Sequence, residues 1–322
     1  TGQHYDPNMS DLFFDQLGIP KPSYQLDING GTHGDMTGKM LMEIEKVLLT
    51  EKPDIVLVYG DTNSTLAGAL AAAKLHIPVA HIEAGLRSFN MEMPEEINRI
   101  LTDQISSILF CPTQTAMDNL KKEGFQHKPI TILNVGDVMQ DSALLFAEKA
   151  VAPADIPIQK DFILATLHRA ENTDDPERLA SIVSALNYIH INIMPVVMPL
   201  HPRTKNLLQR NNLSLNVNII EPVGYLEMLW LLKQTDLVLT DSGGVQKEAF
   251  FFQKPCVTMR DQTEWVELIE VGANKLVGAD TDKIITTVKE SIGQKIIDEH
   301  QLYGGGQASQ NIVKQLSIFF GQ

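Results

Sequence analysis

Residues 55–87 read IVLVYGDTNSTLAGALAAAKLHIPVAHIEAGLR. A short apolar, β-branched run comes first, a Gly60-Asp61 turn follows, and four capping candidates (residues 62–65) precede an alanine-rich helical pattern. Pro78 ends that helix because the residue before a proline is disfavoured in the α region, and residues 79–82 form the next buried run. The stretch therefore predicts a βαβ unit, in which neighbouring parallel strands are joined by a right-handed crossover.

Two acidic residues follow the two predicted strands. Asp61 comes directly after the first strand and Glu83 directly after the second. A single acid at such a place is more often a helix N-cap or a solvated loop residue. Two acids at corresponding ends of neighbouring strands favour a function, because ligands bind beyond the carboxyl ends of parallel strands. Adjacent carboxylates also raise one another's proton affinity, so that one can act as a base while the other stays protonated as an acid.

The composition limits the classes of protein to which the chain can belong. Its 322 residues, with 43% hydrophobic and 20% charged residues, fit a globular protein of two domains. A formal net charge of -14 argues against nucleic acid or an anionic membrane as partner, since either requires a basic face. A small molecule that carries phosphate is still compatible, because a few local cations and helix N-termini suffice to bind it.

Metal, disulfide and dinucleotide sites are not indicated. Cys111 and Cys256 both lie in apolar runs typical of core strands, and the nine histidines are scattered without a His-Glu-x-x-His or Cys-x-x-Cys spacing. No Gly-x-Gly-x-x-Gly motif follows a predicted strand, which argues against NAD, and no apolar stretch is long enough to span a bilayer. We therefore predict no metal and no membrane contact.

The order of predicted elements indicates an α/β fold with two Rossmann-like domains that face each other across a cleft. The proline-containing residues 151–157 are the predicted linker, so we assign residues 1–150 to the N-terminal domain and residues 151–305 to the C-terminal domain. Residues 306–322 contain a last helix. The chain opens at Thr1 on a glycine turn without a strand before it, and we expect the N-terminal strand to be missing from this sequence.

A candidate phosphate site lies at Asp241-Ser242-Gly243-Gly244, between a predicted strand and a predicted helix. Glycines let a ligand approach the backbone, and free N–H groups at a helix start favour anions. Glu248, one turn further, is well placed for the hydroxyls of a ribose, and His168-Arg169 at the end of another strand suit diphosphate or proton transfer. Three alternatives stay open: glycines for tight packing, a solvated helix acid and a loop histidine.

Six segments, in order over nearly the whole chain, resemble the signature segments of the non-hydrolysing UDP-N-acetylglucosamine 2-epimerases. They are Gly60-Asp61-Thr62, His81-Ile82-Glu83-Ala84-Gly85-Leu86-Arg87, Met93-Pro94-Glu95-Glu96-Ile97-Asn98-Arg99, His168-Arg169-Ala170-Glu171-Asn172, Asp241-Ser242-Gly243-Gly244-Val245-Gln246-Lys247-Glu248 and Met259-Arg260-Asp261-Gln262-Thr263-Glu264. The resemblance implies the GT-B arrangement, with the C-terminal helix returning to the first domain. It also implies a cytoplasmic homodimer that works without a redox cofactor, in the synthesis of precursors for cell-surface polysaccharides.

The same resemblance implies a mechanism for the conversion of UDP-GlcNAc to UDP-ManNAc. The C2 proton is removed and UDP leaves C1 to give a bound 2-acetamidoglucal, and UDP then adds again while a proton returns to the opposite face. Asp61, Glu83 and Glu95 match the carboxylates of this relay, and His168 matches a group at the leaving diphosphate.

Further residues match binding positions of the family. Ser242, Gly243 and Gly244 match phosphate contacts, and Glu248 matches the ribose contact. Substrate contacts are also implied for Arg169, Asn172 and Met228, the last in a place that often holds an aromatic residue near the uracil. An activator site for a second UDP-GlcNAc, known in bacterial members, is matched by Gln3, His4, Arg169 and His201.

Two alternatives to UDP-GlcNAc epimerisation stay open, and the first follows from a departure in the sequence. Trp265 stands where many members have arginine, and residues 263–267 resemble the relatives that epimerise UDP-2,3-diacetamido-2,3-dideoxy-glucuronic acid. A GT-B glycosyltransferase, or a UDP-sugar binding protein without turnover, is the alternative of another class. The three carboxylates distinguish it, since a transferase needs no acid on both faces of the donor sugar.

Overall fold

Two parallel sheets, each in its own compact unit, organise the chain. The computed structural model describes residues 1, 17–154, 156–157, 160–299 and 301–321. The first unit holds residues 1–142 and 300–322, and the second holds residues 143–299. All strand pairs in both sheets are parallel. The predicted α/β class with Rossmann-like domains is therefore confirmed, whereas the domain boundaries at 150 and 305 stay predictions.

The first sheet has the strand order β1-β2-β3-β4. The elements up to the end of this sheet and the helix after it are α1 (His33–Glu51), β1 (Val56–Tyr59), α2 (Asn63–Lys74), β2 (Val79–Ile82), α3 (Pro94–Ile105), β3 (Ile108–Cys111), α4 (Gln114–Lys122), β4 (Thr131–Asn134) and α5 (Val138–Ala147). A single 3-10 turn, Phe125–His127, lies between α4 and β4.

The second sheet has the order β10-β9-β8-β5-β6-β7. Its elements are β5 (Ile163–Thr166), α6 (Ala170–Thr173), α7 (Pro176–Asn192), β6 (Val196–Pro199), α8 (Pro202–Arg210), β7 (Asn218–Ile220), α9 (Tyr225–Gln234), β8 (Leu237–Thr240), α10 (Gly243–Phe251), β9 (Cys256–Thr258), α11 (Val266–Glu270), β10 (Asn274–Leu276) and α12 (Thr281–Ser291). The last helix, α13 (Ala308–Phe319), belongs to the first unit.

The βαβ unit predicted from residues 55–87 is present as β1, α2 and β2. The two strands pair in parallel from Val56 opposite Val79 to Tyr59 opposite Ile82. Thr62 is the N-cap of α2, and its side chain accepts a hydrogen bond from the Thr65 amide while the Thr65 hydroxyl bonds back to the Thr62 amide. Since Thr62 provides the cap, the alternative of Asp61 as an N-cap is excluded.

Both faces of the second sheet are covered. Along β5, Ile163 and Ala165 belong to a core cluster that includes α7 and α12, whereas Leu164 packs in a second cluster with Leu231 of α9 and Ala249 of α10. Side chains alternate between the two faces of a strand, so a strand that is apolar at every position must have helices on both sides. In such sheets, ligands bind beyond the carboxyl ends of the strands.

The last helix packs on the first sheet. Ile312 joins a core cluster with Ile82 and Phe110. The chain reaches this helix through a close approach of two backbones: a Cβ on Gly136, where φ is +91°, would lie 2.7 Å from the Tyr303 carbonyl oxygen. Only glycine fits at such a position.

The hydrophobic pattern of the chain predicts an amphipathic helix from Met36, and the structure begins this helix at His33. Thr32 caps it by accepting from the Asp35 amide at 3.3 Å. The spacing of residues 9–17 predicts another helix, which lies almost wholly outside the described residues. Within the described part of the chain, no helix is both long and apolar enough to cross a membrane.

Candidate active site

The two predicted acids lie at the carboxyl ends of neighbouring strands in the first unit. The Gly60 amide donates to the Ile82 carbonyl at 3.0 Å, which holds the two turns together. An oxygen of the Glu83 carboxylate lies 3.7 Å from the place a Cβ on Gly60 would take. Glu83 itself has a φ of +73°, in the left-handed region that non-glycine residues rarely adopt and that is enriched at functional sites.

Helix α3 supports Asp61 through two side chains. Arg99, whose side chain is 7% exposed, pairs through Nη2 with the Asp61 carboxylate and through Nη1 with Glu96 at 2.5 Å. Asn98 donates to the Asp61 carbonyl oxygen at 2.9 Å. Burial alone would lower the pKa of Arg99, but Asp61 and Glu96 together raise it. Arg99 is therefore a permanent cation that orients one oxygen of Asp61.

The adjacent glutamates at the start of α3 differ in their surroundings. Glu96 is fully buried and accepts from the Ser88 and Phe89 amides, each at 2.9 Å. Burial would raise its pKa, yet these amides and Arg99 outweigh burial and the pKa is lowered. Glu95, the predicted catalytic residue, is exposed. Its catalytic role stays a prediction, whereas Glu96 has a position that fixes the loop before the helix.

In the second unit, one buried carboxylate organises the loop after β5. Asp241 is fully buried and accepts from the Arg169 amide at 2.9 Å and from the His168 amide at 3.1 Å. Its Oδ1 also lies 3.1 Å from Nδ1 of His168. Asp241 thus does more than complete a glycine turn, because it fixes both the backbone and the ring of His168.

Asn172 is part of the same loop. Its amide nitrogen donates to the Met259 carbonyl at 2.8 Å, and its oxygen accepts from Nε of Arg178 at 3.1 Å. The side chain is fully buried in these bonds. In the described structure Asn172 therefore connects β9 to the His168 loop, and a direct contact with substrate stays a prediction.

An open pocket of about 240 Å³ begins at the end of β5. Its walls are mostly apolar, and His168, His201 and Ser242 add polar groups. The complete lining is Thr166, Leu167, His168, Pro199, His201, Pro222, Val223, Met228, Ser242 and Val245. Four predicted site residues, His168, His201, Met228 and Ser242, therefore share one pocket, whose composition suits a flat heterocycle with a polar extension.

The start of α10 has the features of an anion site. Ser242 is the N-cap and makes no side-chain capping bond, while its amide donates to Thr240 Oγ1 at 2.9 Å. A Cβ on Gly243 would lie 2.6 Å from Oε1 of Glu264 and 3.6 Å from Nη2 of Arg169. The absent side chain therefore lets one anionic and one cationic group approach the helix start. Gly244 follows as the second residue of α10.

Glu248 is a buried acid on the same helix. Its side chain is almost fully buried, and burial raises its pKa to about 7, although Lys247 acts in the opposite direction. A carboxylate in such a site gains from hydroxyl donors that replace water. The predicted ribose contact is compatible with this environment and stays a prediction.

The residues predicted for an activator site are only partly described. Gln3 and His4 lie outside the described residues. His201 is exposed and caps α8 by accepting from the Arg203 amide at 3.2 Å. Among the described residues no group of His, Cys, Asp and Glu has the geometry of a metal site.

Two of these site-supporting residues received no role from the sequence. Arg99 and Asp241 were named only as members of signature segments, Asp241 also as part of the predicted phosphate turn. A basic residue three positions after Glu96 was the available signal for Arg99, since such pairs share one helix face.

Comparison with known proteins shows the family to which the chain belongs. Residues 1–317 match the family model described as UDP-N-acetylglucosamine 2-epimerase. The chain is 71% identical, over 98% of its length and 90% of the relative, to UDP-2,3-diacetamido-2,3-dideoxy-D-glucuronate 2-epimerase of Pseudomonas aeruginosa.

Solved structures give the same result. The Methanocaldococcus jannaschii UDP-GlcNAc 2-epimerase, crystallised with UDP-GlcNAc and UDP, is 49% identical with a TM-score of 0.87 over 99% of this chain and 90% of that chain. The Neisseria meningitidis enzyme bound to UDP-GlcNAc is 34% identical with a TM-score of 0.85 over 98% and 89%. A match of this extent in both sequence and fold means that the chain belongs to the UDP-N-acetylglucosamine 2-epimerase family and is an isomerase.

Proposed function

We propose that this chain epimerises a UDP-2-acetamido sugar at C2 by elimination and re-addition of UDP. The observation that carries the proposal is the placement of Asp61 and Glu83 on turns that follow neighbouring parallel strands. The reaction changes no oxidation state overall, so no redox cofactor is part of the proposal. Acid and base groups are needed because a C–H bond must break on one face of the sugar and form on the other.

The carboxylates are assigned to the proton transfers. Asp61, Glu83 and Glu95 take up the C2 proton and return one to the opposite face, with the C1–O bond breaking as UDP leaves and forming again as it re-adds. Arg99 keeps one Asp61 oxygen engaged, so the other oxygen is assigned to the sugar. A lost proton-transfer group costs on the order of 10²- to 10⁴-fold in rate.

The UDP group is assigned to the second unit. The pocket with Met228 takes the uracil, Glu248 takes the ribose hydroxyls, and Ser242 to Gly244 with His168 and Arg169 take the diphosphate. The support is the apolar lining of the pocket, the uncapped start of α10 and the proximity of Arg169 to Gly243.

Isothermal titration of UDP tests this assignment. Glu248→Ala is expected to weaken UDP binding by about tenfold or more, because a charge-assisted bond to ribose contributes roughly 1.5–3 kcal/mol. Glu270→Ala, an exposed acid on α11, is the matched control and is expected to bind as wild type does. Unchanged UDP affinity of Glu248→Ala would remove Glu248 from the ribose site.

The proposed substrate is UDP-2,3-diacetamido-2,3-dideoxy-D-glucuronate. The support is the 71% identity to the Pseudomonas aeruginosa relative, against 49% to the Methanocaldococcus jannaschii relative named as UDP-N-acetylglucosamine 2-epimerase. UDP-GlcNAc is the second candidate. Separate kcat/KM values for the two sugars, from C2 deuterium incorporation in heavy water, decide between them. A higher value for UDP-GlcNAc would overturn this choice and leave the reaction type intact.

Assembly, location and regulation are further parts of the proposal. We propose a cytoplasmic homodimer that supplies precursors of cell-surface polysaccharide, on the strength of the family resemblance. Light scattering after size exclusion tests the dimer.

Activation by a second UDP-sugar is proposed at Gln3, His4, Arg169 and His201, and a strictly hyperbolic rate curve would argue against it.

A further inference from the structure

A buried carboxylate in the first unit accepts three hydrogen bonds from the region behind the acid-bearing turns. Asp103 of α3 is fully buried, and its Oδ1 lies 2.7 Å from Nδ1 of His81 on β2. Its Oδ2 accepts from the Gly85 amide at 3.2 Å and from Nη1 of Arg87 at 2.7 Å. Three donors on two neighbouring segments therefore converge on one side chain.

His81 extends this network to the other turn. The ring is fully buried, and its Nε2 lies 2.8 Å from the Gly60 carbonyl oxygen. Both ring nitrogens thus face acceptors, and both bonds can form together only when both nitrogens carry protons. The ring therefore bridges the Asp103 carboxylate and the Gly60 carbonyl.

Arg87 extends the network to a second carboxylate. Arg87 makes two further bonds to the Glu123 carboxylate, through Nε at 2.6 Å and Nη2 at 2.9 Å. Arg87 therefore lies between two carboxylates, those of Asp103 and Glu123. A buried charge pair is poor evidence for stability, since an apolar replacement of similar volume is often neutral or stabilising. Stability alone is therefore not a sufficient explanation for this network.

The two glycines that the network bonds lie next to the predicted catalytic acids in the sequence. Gly60 directly precedes Asp61, and Gly85 follows Glu83 by two residues. Gly85 has a φ of +79°, and a Cβ there would lie 2.6 Å from the Ala116 carbonyl, so this turn has little freedom of its own. Asp103 of α3 bonds the Gly85 amide directly and reaches the Gly60 carbonyl through the His81 ring, so the pair connects the two turns.

We propose that the His81–Asp103 pair is a positioning element that sets the separation of the Asp61 and Glu83 carboxylates. The inference rests on the proposed epimerase function. A proton must leave one face of C2 and return to the other, so both carboxylates must lie within reach of this carbon. A displacement of about 1 Å can lower the rate on the order of a hundredfold. His81 and Asp103 act on the reaction only through the two turns.

Two substitutions of His81 separate its two bonds. In His81→Asn the amide nitrogen takes the place of Nδ1, so the bond to Asp103 is kept and the bond to Gly60 is lost. In His81→Gln the amide nitrogen takes the place of Nε2, so the bond to Gly60 is kept and the bond to Asp103 is lost. Each variant breaks the connection between the turns at one known point.

Glu123→Gln is the matched control. It weakens the same charge network at Arg87, while the bonds of Asp103 to His81 and Gly85 are left in place. We expect a lower melting temperature and a kcat within about threefold of wild type. His81→Asn and His81→Gln are expected to lower kcat by at least about tenfold, with KM and UDP affinity changed by less than about threefold.

Release of the intermediate gives a readout that stability alone does not move. Misaligned carboxylates should delay reprotonation, so that more UDP and more of the 2-acetamido glycal of the sugar used escape per epimer formed. We expect this ratio to rise at least about threefold in both His81 variants and to stay at the wild-type value in Glu123→Gln.

Three results would overturn the proposal: wild-type kcat in both His81 variants, equal losses of kcat in these variants and in Glu123→Gln, or an unchanged release ratio. If His81→Asn does not fold, His81→Gln against Glu123→Gln decides the proposal by the same measurements of kcat and release ratio. A wild-type protein without C2 exchange on either candidate sugar would instead refute the proposed function.

Discussion

Nδ1 of His168 lies 3.1 Å from Oδ1 of Asp241, a fully buried carboxylate that also accepts from two backbone amides of the same loop. With Nδ1 donating to this carboxylate, Nε2 is the ring nitrogen left for a ligand. The relationship gives His168 a fixed orientation although half of its side chain is exposed.

Asp241→Asn should lower kcat/KM by about ten- to a hundredfold, because an amide can turn its NH₂ group toward Nδ1 and favour the other tautomer. Steady-state kinetics measure the loss. Asp261→Asn is the control, since that carboxylate is 60% exposed and pairs with Arg178 at 3.0 Å. Equal activity of the two variants would contradict the role given to Asp241.

Adjacent glutamates at the start of α3 should respond differently to substitution. Glu95→Gln is expected to lower turnover by at least about a hundredfold and to leave the melting temperature unchanged, because Glu95 is exposed. Glu96→Gln removes a charge that holds Arg99 and two amides, so it should lower the free energy of unfolding by about 1–3 kcal/mol. Thermal melts and rates of both variants check this pair. A fully active Glu95→Gln would remove Glu95 from the relay.

Burial of Glu248 makes stability depend on pH. Its pKa is raised from 4.5 to about 7, so the folded protein holds a proton there that the unfolded chain has lost. Stability should therefore fall as pH rises from about 4.5 to 7, by an amount of up to roughly 3 kcal/mol.

Glu248→Gln removes this dependence, and its melting temperature should exceed that of wild type by more at pH 8 than at pH 5. Glu270→Gln is the exposed control and should show no such trend. A constant difference between Glu248→Gln and wild type across this range would show that Glu248 is ionised at both pH values.

Gly243→Ala should weaken UDP binding with little change in melting temperature. Its Cβ would lie 2.6 Å from Oε1 of Glu264, so that side chain must move at the start of α10, while alanine itself suits a helix. We expect the Kd of UDP to rise by about tenfold. Gly34→Ala on α1, where a Cβ meets no atom within 4 Å, is the control. Wild-type affinity of Gly243→Ala would remove the start of α10 from the phosphate site.

Local patterns were sufficient for much of the fold. The βαβ unit was predictable because strand, turn, cap and helix follow one another within residues 55–87. The last helix, predicted within residues 306–322, is observed over Ala308–Phe319. Helix α12 was not predicted, although Asp280 caps it by accepting from the Lys283 amide at 2.8 Å. That cap, followed by apolar residues at helical spacing, was a usable signal.

Long-range pairs were beyond such patterns. Arg99 and Asp61 are 38 residues apart, and His168 and Asp241 are 73 residues apart, so no periodicity links them. The sequence indicated which acids stand at strand ends. Only the packing of α3 against β2 and of β8 beside β5 shows which side chains orient them.

The most direct test of the account is C2 deuterium incorporation in heavy water by wild type, Asp61→Asn and Glu83→Gln, with each candidate UDP-sugar. We expect wild type to place deuterium at C2, and both variants to do so at least about a hundredfold more slowly while UDP affinity and melting temperature stay close to wild type. Near-normal incorporation by either variant, or none by wild type, would contradict a proton relay through these two carboxylates.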